Sequence, residues 1–204
     1  MAPPVGLILG HSFVAGLLHH LDHNGQDNGQ QLTKKLNIDN IVQEIHLHGQ
    51  RGALISSPSY TLPHSLLTQV KPDFVILDLG TNDLANGTSP FTVAAQLTDL
   101  ADKLRSRYHV SQVMICSVIN RTSHLRTMTP QQFASAAYQC NGYLRDLADI
   151  SPHTTYHVHK GFWMDPDQNW STDGLHPNTP AGRAKYIKSI RRAVFLALES
   201  FTSS

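Results

Sequence analysis

The sequence is poor in the features that mark several large classes of protein. Its 204 residues include two cysteines, Cys116 and Cys140, which are too few for a disulfide framework and have no metal-ligand spacing. No segment approaches the ~20 consecutive apolar residues that a membrane-spanning helix needs, so we expect no membrane partner. No basic region precedes the first apolar run, so we expect no secretory signal and favour a cytoplasmic location.

Net charge is also low. The 16 Lys and Arg residues nearly balance the 15 Asp and Glu residues, which leaves +1 at pH 7. A nucleic-acid-binding surface normally needs a large cationic excess, so we expect no nucleic-acid partner. With 40% hydrophobic residues, the composition is typical of a folded chain, and the length predicts a single domain over residues 1–204. Composition gives no prediction of the oligomeric state.

Apolar runs typical of buried strands alternate with segments of helical spacing. The predicted strands are 5–10, 41–47, 74–80, 112–119 and 155–159, and the predicted helices are 13–22, 63–70, 91–107, 130–149 and 180–201. Near-continuous Val, Ile and Leu indicate parallel strands covered on both faces. The alternation therefore predicts a doubly wound, five-stranded parallel sheet in a three-layer α/β/α sandwich. Ligands of such sheets bind beyond the carboxyl ends of the strands, so residues that follow strands are the candidate site.

Two of these strand ends carry residues suited to acyl-transfer chemistry. Ser12, in "GHSF", follows the first strand, where it can be an exposed nucleophile near a helix N-terminus or simply a helix N-cap. Gly49 and Gly52, in "HGQRGAL", follow the second strand. A glycine there lets a backbone N–H approach a ligand closely, although either can equally be a turn residue.

Two further strand ends complete the pattern. Asn82, in "GTND", can point its amide at a developing oxyanion, or it and Asp83 can form an Asx-turn. In "STDGLHPN", His176 is a candidate general base and Asp173 can hold its other ring nitrogen, unless the segment is only a turn and a helix entry. Because the strand ends share one edge of the sheet, we expect these groups to converge on one site.

Together these blocks resemble those of the SGNH (GDSL-like) hydrolases, over residues 5 to about 190. The resemblance implies a flavodoxin-like SGNH hydrolase fold and a catalytic triad of Ser12, His176 and Asp173. It also implies an oxyanion hole formed by the backbone N–H groups of Ser12 and Gly52 and the side chain of Asn82. The distance of the glycine block from the asparagine block favours Gly52 over Gly49. The family needs no cofactor and no metal.

One position departs from the family pattern. The family usually has Asp immediately before the serine, and His11 takes its place here. A histidine beside the nucleophile can titrate and alter the pH profile of the reaction. His11, Trp163 and Trp170 are candidates to line a substrate pocket, although large aromatic residues at a strand end are as often core residues.

The loops that follow the strands are short and include no evident lid. We therefore expect a serine esterase with an open site that accepts short-chain, acetyl-type esters of small molecules or carbohydrates. The alternative is a binding module with the same fold and weak or no activity, within a larger protein.

Histidine is abundant, at 13 residues, which raises the possibility of a metal site. His46 and His48, and likewise His157 and His159, are spaced to lie on one face of a strand. No Cys or carboxylate completes a recognisable ligand set, so we expect these histidines to be hydrogen-bonded or solvent-facing.

Overall fold

The computed structural model describes residues 2–23, 25–27, 30–31, 33–38, 40–56, 63–162 and 170–202. Its strands are β1 (Val5–Gly10), β2 (Gln26–Asp27), β3 (Gln30–Gln31), β4 (Glu44–Gly49), β5 (Phe74–Asp78), β6 (Gln112–Cys116) and β7 (Thr154–His157). Its helices are α1 (Ser12–Asp22), α2 (His64–Val70), α3 (Thr81–Ala85), α4 (Pro90–Tyr108), α5 (Pro130–Asp149) and α6 (Pro180–Thr202). None of the helices in these ranges is long and apolar enough to cross a bilayer.

Five of the strands form one sheet in the order β4-β1-β5-β6-β7, and every neighbouring pair is parallel. The chain order therefore reverses at β1, which pairs with β4 on one side and with β5 on the other. This is the flavodoxin-like strand order, and it places the topological switch point at the end of β1. The predicted doubly wound parallel sheet is confirmed. The short antiparallel pair β2–β3 was not predicted.

Alternate strand residues face two separate hydrophobic cores. Leu7 and Leu9 of β1 belong to the core that contains α4 and α5, whereas Ile8 belongs to the core that contains α1 and α6. In β5, Val75 and Ile76 divide between the two cores in the same way. Helices thus cover both faces of the sheet, which explains why its strands are apolar throughout.

Several element boundaries differ from the sequence prediction; for example, the runs 112–119 and 155–159 form the shorter strands Gln112–Cys116 and Thr154–His157. The second strand of the sheet begins at Glu44, not at residue 41. Val42 is apolar because it is buried in the core, although it lies in the connection before the strand. The run 74–80 ends as a strand at Asp78, because Gly80 takes a left-handed conformation (φ 102°) as the N-cap of helix α3. At five residues α3 is too short to show helical periodicity.

Candidate active site

The five residues predicted to form the oxyanion hole and the triad line one cavity of about 550 Å³. Ser12 follows β1, Gly52 follows β4 and Asn82 follows β5, while Asp173 and His176 lie on the loop that leads into α6. Gly49 does not line this cavity. A Cβ at Gly49 would lie 2.1 Å from the backbone nitrogen of Ala15, so this glycine allows β4 to pack closely against α1.

Ser12 is the first residue of α1 and is only 8% exposed. The N-cap is His11, and no side chain caps the helix, so Ser12 does not have the capping role that its sequence context allows. The turn from β1 into α1 is tight, since a Cβ at Gly10 would lie 2.1 Å from Cγ2 of Val14. The Ser12 N–H has no intrahelical acceptor and lies at the positive end of the helix, where it favours an anion.

Asp173 and His176 form a closely bonded pair. Nδ1 of His176 lies 2.6 Å from Oδ2 of Asp173. Oδ1 of the same carboxylate accepts hydrogen bonds from the Ser171 hydroxyl at 2.6 Å and from the backbone N–H groups of Leu175 and His176 at 2.9 Å each. Burial raises the pKa of Asp173, but the bonds from Ser171 and His176 outweigh it and hold the pKa well below its usual range. The carboxylate is therefore ionised, which favours the His176 tautomer with its proton on Nδ1.

The hydrogen bond expected between Ser12 and His176 is not formed in this structure. Oγ of Ser12 is paired with Nδ1 of His11 at 3.4 Å. Nε2 of His176 is buried and has no hydrogen-bond partner among the described residues. Both side chains nevertheless line the same cavity.

The Asn82 side chain is fixed by a partner at each end. Its Nδ2 donates to the carbonyl of Ala53 at 3.0 Å, and its Oδ1 accepts from Nη1 of Arg121 at 3.1 Å. A carbonyl only accepts and a guanidinium only donates, so the amide orientation is determined by chemistry. The second Nδ2 hydrogen has no hydrogen-bond partner among the described residues. Asn82 makes no Asx-turn bond in this arrangement.

Arg121 was missed by the sequence analysis. It follows the strand end at residue 119 predicted for the fourth strand, so it obeys the same strand-end rule, but it belongs to no recognised motif. The side chain is buried, at 3% exposure, and its Nη2 donates to the carbonyl of His124 at 2.8 Å. Burial lowers the pKa of Arg121 to about 10, which still leaves the guanidinium charged at neutral pH.

Asp83 forms a hydrogen bond with the loop that carries Gly52. Gly52 has a φ of 71°, a left-handed conformation that favours glycine, and its N–H has no hydrogen-bond partner among the described residues. Three residues further on, the Ile55 N–H donates to Oδ1 of Asp83 at 2.9 Å. Burial raises the pKa of Asp83 to about 6. The loop is thus tied to helix α3, which also carries Asn82.

Burial opposes the titration of His11 that its position beside Ser12 suggested. It is 1% exposed, and burial lowers its pKa to about 4 against the opposing charge of Asp78. Asp78 is itself held ionised. Burial raises its pKa, but His159, whose Nε2 lies 3.6 Å from Oδ1, and a hydrogen bond from the Tyr186 hydroxyl bring the pKa down to about 2.

The predicted aromatic lining of the substrate pocket is corrected by the structure. Trp170 is 5% exposed and packs in the core against Phe13, with ring centroids 6.0 Å apart, so it does not reach the cavity. His11 is also buried and is not among the residues that line the cavity. Trp163 lies outside the described residues.

His157, the last residue of β7, and His159, two residues after it, are hydrogen-bonded. Nε2 of His157 and Nδ1 of His159 both lie close to the hydroxyl of Ser189, at 3.0 and 2.8 Å. Within the described ranges, no three His, Cys, Asp or Glu side chains are grouped so that they could hold a metal ion.

A family model described as "GDSL-like Lipase/Acylhydrolase family" matches residues 8–184. No curated protein matches the chain by sequence.

Several solved structures share the fold. An acetyl esterase variant with an acetate ion is 16% identical over 98% of this chain and 100% of its own, with a TM-score of 0.63. An acetyl-xylooligosaccharide esterase from Geobacillus is 13% identical over 95% and 94%, with a TM-score of 0.65. The psychrotrophic esterase EstA from Pseudoalteromonas sp. is 19% identical over 94% and 98%, with a TM-score of 0.61.

Proposed function

Since the chain belongs to the GDSL-like lipase/acylhydrolase family and is a serine hydrolase of the SGNH type, we propose that it hydrolyses short-chain carboxylic esters through Ser12, His176 and Asp173. The observation that carries this proposal is the shared cavity. It brings Ser12 together with an Asp173–His176 pair whose free ring nitrogen has no other partner. We include residues 1–204 in one hydrolase domain, as the family match runs through most of the chain.

In the proposed reaction, Ser12 Oγ turns from His11 towards Nε2 of His176 and attacks the ester carbonyl carbon. His176 takes the hydroxyl proton as the new C–O bond forms, and ionised Asp173 stabilises the resulting imidazolium. His176 then gives this proton to the departing alcohol oxygen as the ester bond breaks. A water molecule attacks the acyl-serine in the same manner, releases the carboxylic acid and restores Ser12.

The negative oxygen of each tetrahedral intermediate is held by three donors in this proposal. They are the backbone N–H groups of Ser12 and Gly52 and the free Nδ2 hydrogen of Asn82. One such donor typically lowers the barrier by about 3 kcal/mol. The two backbone donors have no acceptor among the described residues, so neither must give up a protein hydrogen bond to receive the oxyanion.

The cavity lining favours a short acyl group. Leu125 and Leu175 are the apolar side chains among the described lining residues, and the remainder are polar, charged or glycine. A long acyl chain would place many methylene groups against polar atoms, which burial of apolar surface disfavours. The acetyl esterase and the acetyl-xylooligosaccharide esterase that share this fold support acetyl esters of small molecules or carbohydrates as substrates.

Hydrolysis of p-nitrophenyl esters from acetate to octanoate, by the wild type and by Ser12→Ala, tests the proposal. We expect the highest kcat/KM with acetate or butyrate and no turnover by the variant. Equal rates for the two proteins would contradict the role of Ser12, and a maximum at octanoate would contradict the short acyl group.

One observation favours the alternative of a binding module with little activity: Ser12 is hydrogen-bonded to His11 and not to His176. Labelling by a fluorophosphonate probe discriminates between the two functions, because it needs an activated serine and no particular substrate. Labelling of the wild type but not of Ser12→Ala supports the esterase. An unlabelled wild type that also hydrolyses no ester supports the binding module.

A further inference from the structure

The cavity at the proposed active site is strongly basic although the chain is nearly neutral. Three arginines line it, Arg51, Arg121 and Arg126, and its one acidic lining residue in the described ranges, Asp173, is bonded to His176. Net charge over the whole sequence is only +1, so the positive charge is concentrated at this cavity. We infer that the ester substrate carries a negatively charged group, a carboxylate or a phosphate, which these arginines bind. This inference rests on the proposed esterase function.

Arg121 supplies a buried positive charge that the described protein does not neutralise. Its two recorded side-chain hydrogen bonds go to neutral oxygens, on Asn82 and His124. Its Nε is buried without a partner, and no carboxylate of the described residues lies within 4 Å of the guanidinium. Burying an unpaired charge costs free energy. A bound anion would offset this cost, so the buried guanidinium favours an anionic ligand.

Arg51 and Arg126 place two further guanidinium groups at the exposed rim of the cavity. Arg51 precedes Gly52 after β4, and Arg126 lies between β6 and α5, where its backbone N–H donates to the carbonyl of Ala85 at 3.2 Å. Neither has an ion-pair partner within the described part of the chain. Guanidinium groups bind carboxylate and phosphate with two parallel hydrogen bonds, so both are suited to a charged substituent at the cavity entrance.

Matched ester pairs test the inference on each side of the scissile bond. For the acyl side, p-nitrophenyl hydrogen glutarate is compared with p-nitrophenyl methyl glutarate. For the alcohol side, 4-acetoxybenzoate is compared with its methyl ester, and an acetyl ester of a phenol phosphate extends the test to phosphate. Release of the phenol is measured, and each rate is divided by the uncatalysed rate in the same buffer.

We expect the charged member of at least one pair to have a kcat/KM on the order of tenfold higher than its neutral partner at low ionic strength. This ratio should decrease in 0.5 M NaCl, because salt screens the attraction between the charges. The pair that shows it identifies the side on which the charge is bound. Arg51→Gln combined with Arg126→Gln should bring the ratio close to one. The matched control is Arg107→Gln, which removes the same charge at the last turn of α4, outside the cavity, and should keep the wild-type ratio.

Ratios at or below one for all pairs, with hydrolysis that depends on Ser12, would overturn the inference and leave the esterase function standing. So would a preference that Arg107→Gln reduces as much as the cavity variants do. Absence of both ester hydrolysis and fluorophosphonate labelling would overturn the esterase function itself, and the inference with it.

Discussion

Nη1 of Arg121 donates to Oδ1 of Asn82 at 3.1 Å and thereby fixes the orientation of the Asn82 amide, whose Nδ2 donates to the carbonyl of Ala53. This makes Arg121 a positioning residue for the proposed oxyanion hole. We expect Asn82→Ala to lower kcat on a neutral acetyl ester by roughly 10²–10³-fold with little change in KM. Arg121→Met, which keeps the length of the side chain, should lower kcat by about 10- to 100-fold because the amide loses its orientation.

The effects of Asn82→Ala and Arg121→Met on kcat should not be additive. If Arg121 acts through Asn82, Arg121→Met has little further effect on kcat in the Asn82→Ala background, which a double-mutant cycle measures. Arg121→Lys retains the charge but not the fork of donors, and it should resemble the Met variant on the neutral ester. Full additivity would show that Arg121 acts independently of Asn82. Near-ultraviolet circular dichroism verifies that each variant keeps its packing.

The hydrogen bond between Asp173 and His176 predicts that Asp173→Asn, a change of one atom, lowers kcat strongly. Asp173→Asn keeps the shape of the side chain, but its amide group donates to Nδ1 of His176 and so places the ring proton on Nε2, where it blocks general-base catalysis. We expect kcat to fall roughly 10⁴-fold, as is typical of a triad with the wrong tautomer. Ser171→Ala is the matched control. It removes one of several donors to the same carboxylate and should cost far less. Equal losses for the two variants would contradict this role of Asp173.

Much of this architecture follows directly from the sequence. The runs around Leu7 and Val75 are continuously apolar because both faces of the sheet are buried, and that alone predicts parallel strands and helices on both sides. The strand-end rule then selects Ser12, Asn82 and the loop of His176. All three lie at the carboxyl edge of the sheet, where the structure brings them to one cavity.

What the sequence could not predict depends on contacts between distant segments. Arg121 lies 39 residues from Asn82 and is linked to it only by the fold. Trp170 lies beyond a predicted strand end, as the site residues do, yet its side chain packs against Phe13 in the core. The low pKa of His11 results from burial, which local sequence does not report.

The environment of His11 predicts that an aspartate, the residue that the family resemblance leads one to expect there, would be unfavourable at this position. The site is buried, and the ionised carboxylate of Asp78 acts on it electrostatically. In His11→Asp two buried carboxylates would face one another, so we expect a loss of about 1–3 kcal/mol of unfolding free energy at pH 8 and a smaller loss at pH 5. His11→Asn, of similar size and without charge, is the control. Urea unfolding at the two pH values measures both variants, and an Asp variant as stable as the Asn variant at pH 8 would contradict the prediction.

Asp83 predicts a pH dependence of the stability of the wild-type protein. Burial raises its folded-state pKa from 3.8 to about 6, so the folded protein holds this proton more tightly than the unfolded chain does. The stabilisation by this proton is complete below pH 4 and is lost as the pH rises through 6. Asp83→Asn keeps an acceptor for the Ile55 N–H but cannot ionise. Its unfolding free energy relative to the wild type should therefore increase between pH 4 and pH 7, by up to about 3 kcal/mol, and then level off. Urea unfolding across this range tests the sign: a difference that falls with pH would mean that the ionised carboxylate is the form which the fold stabilises.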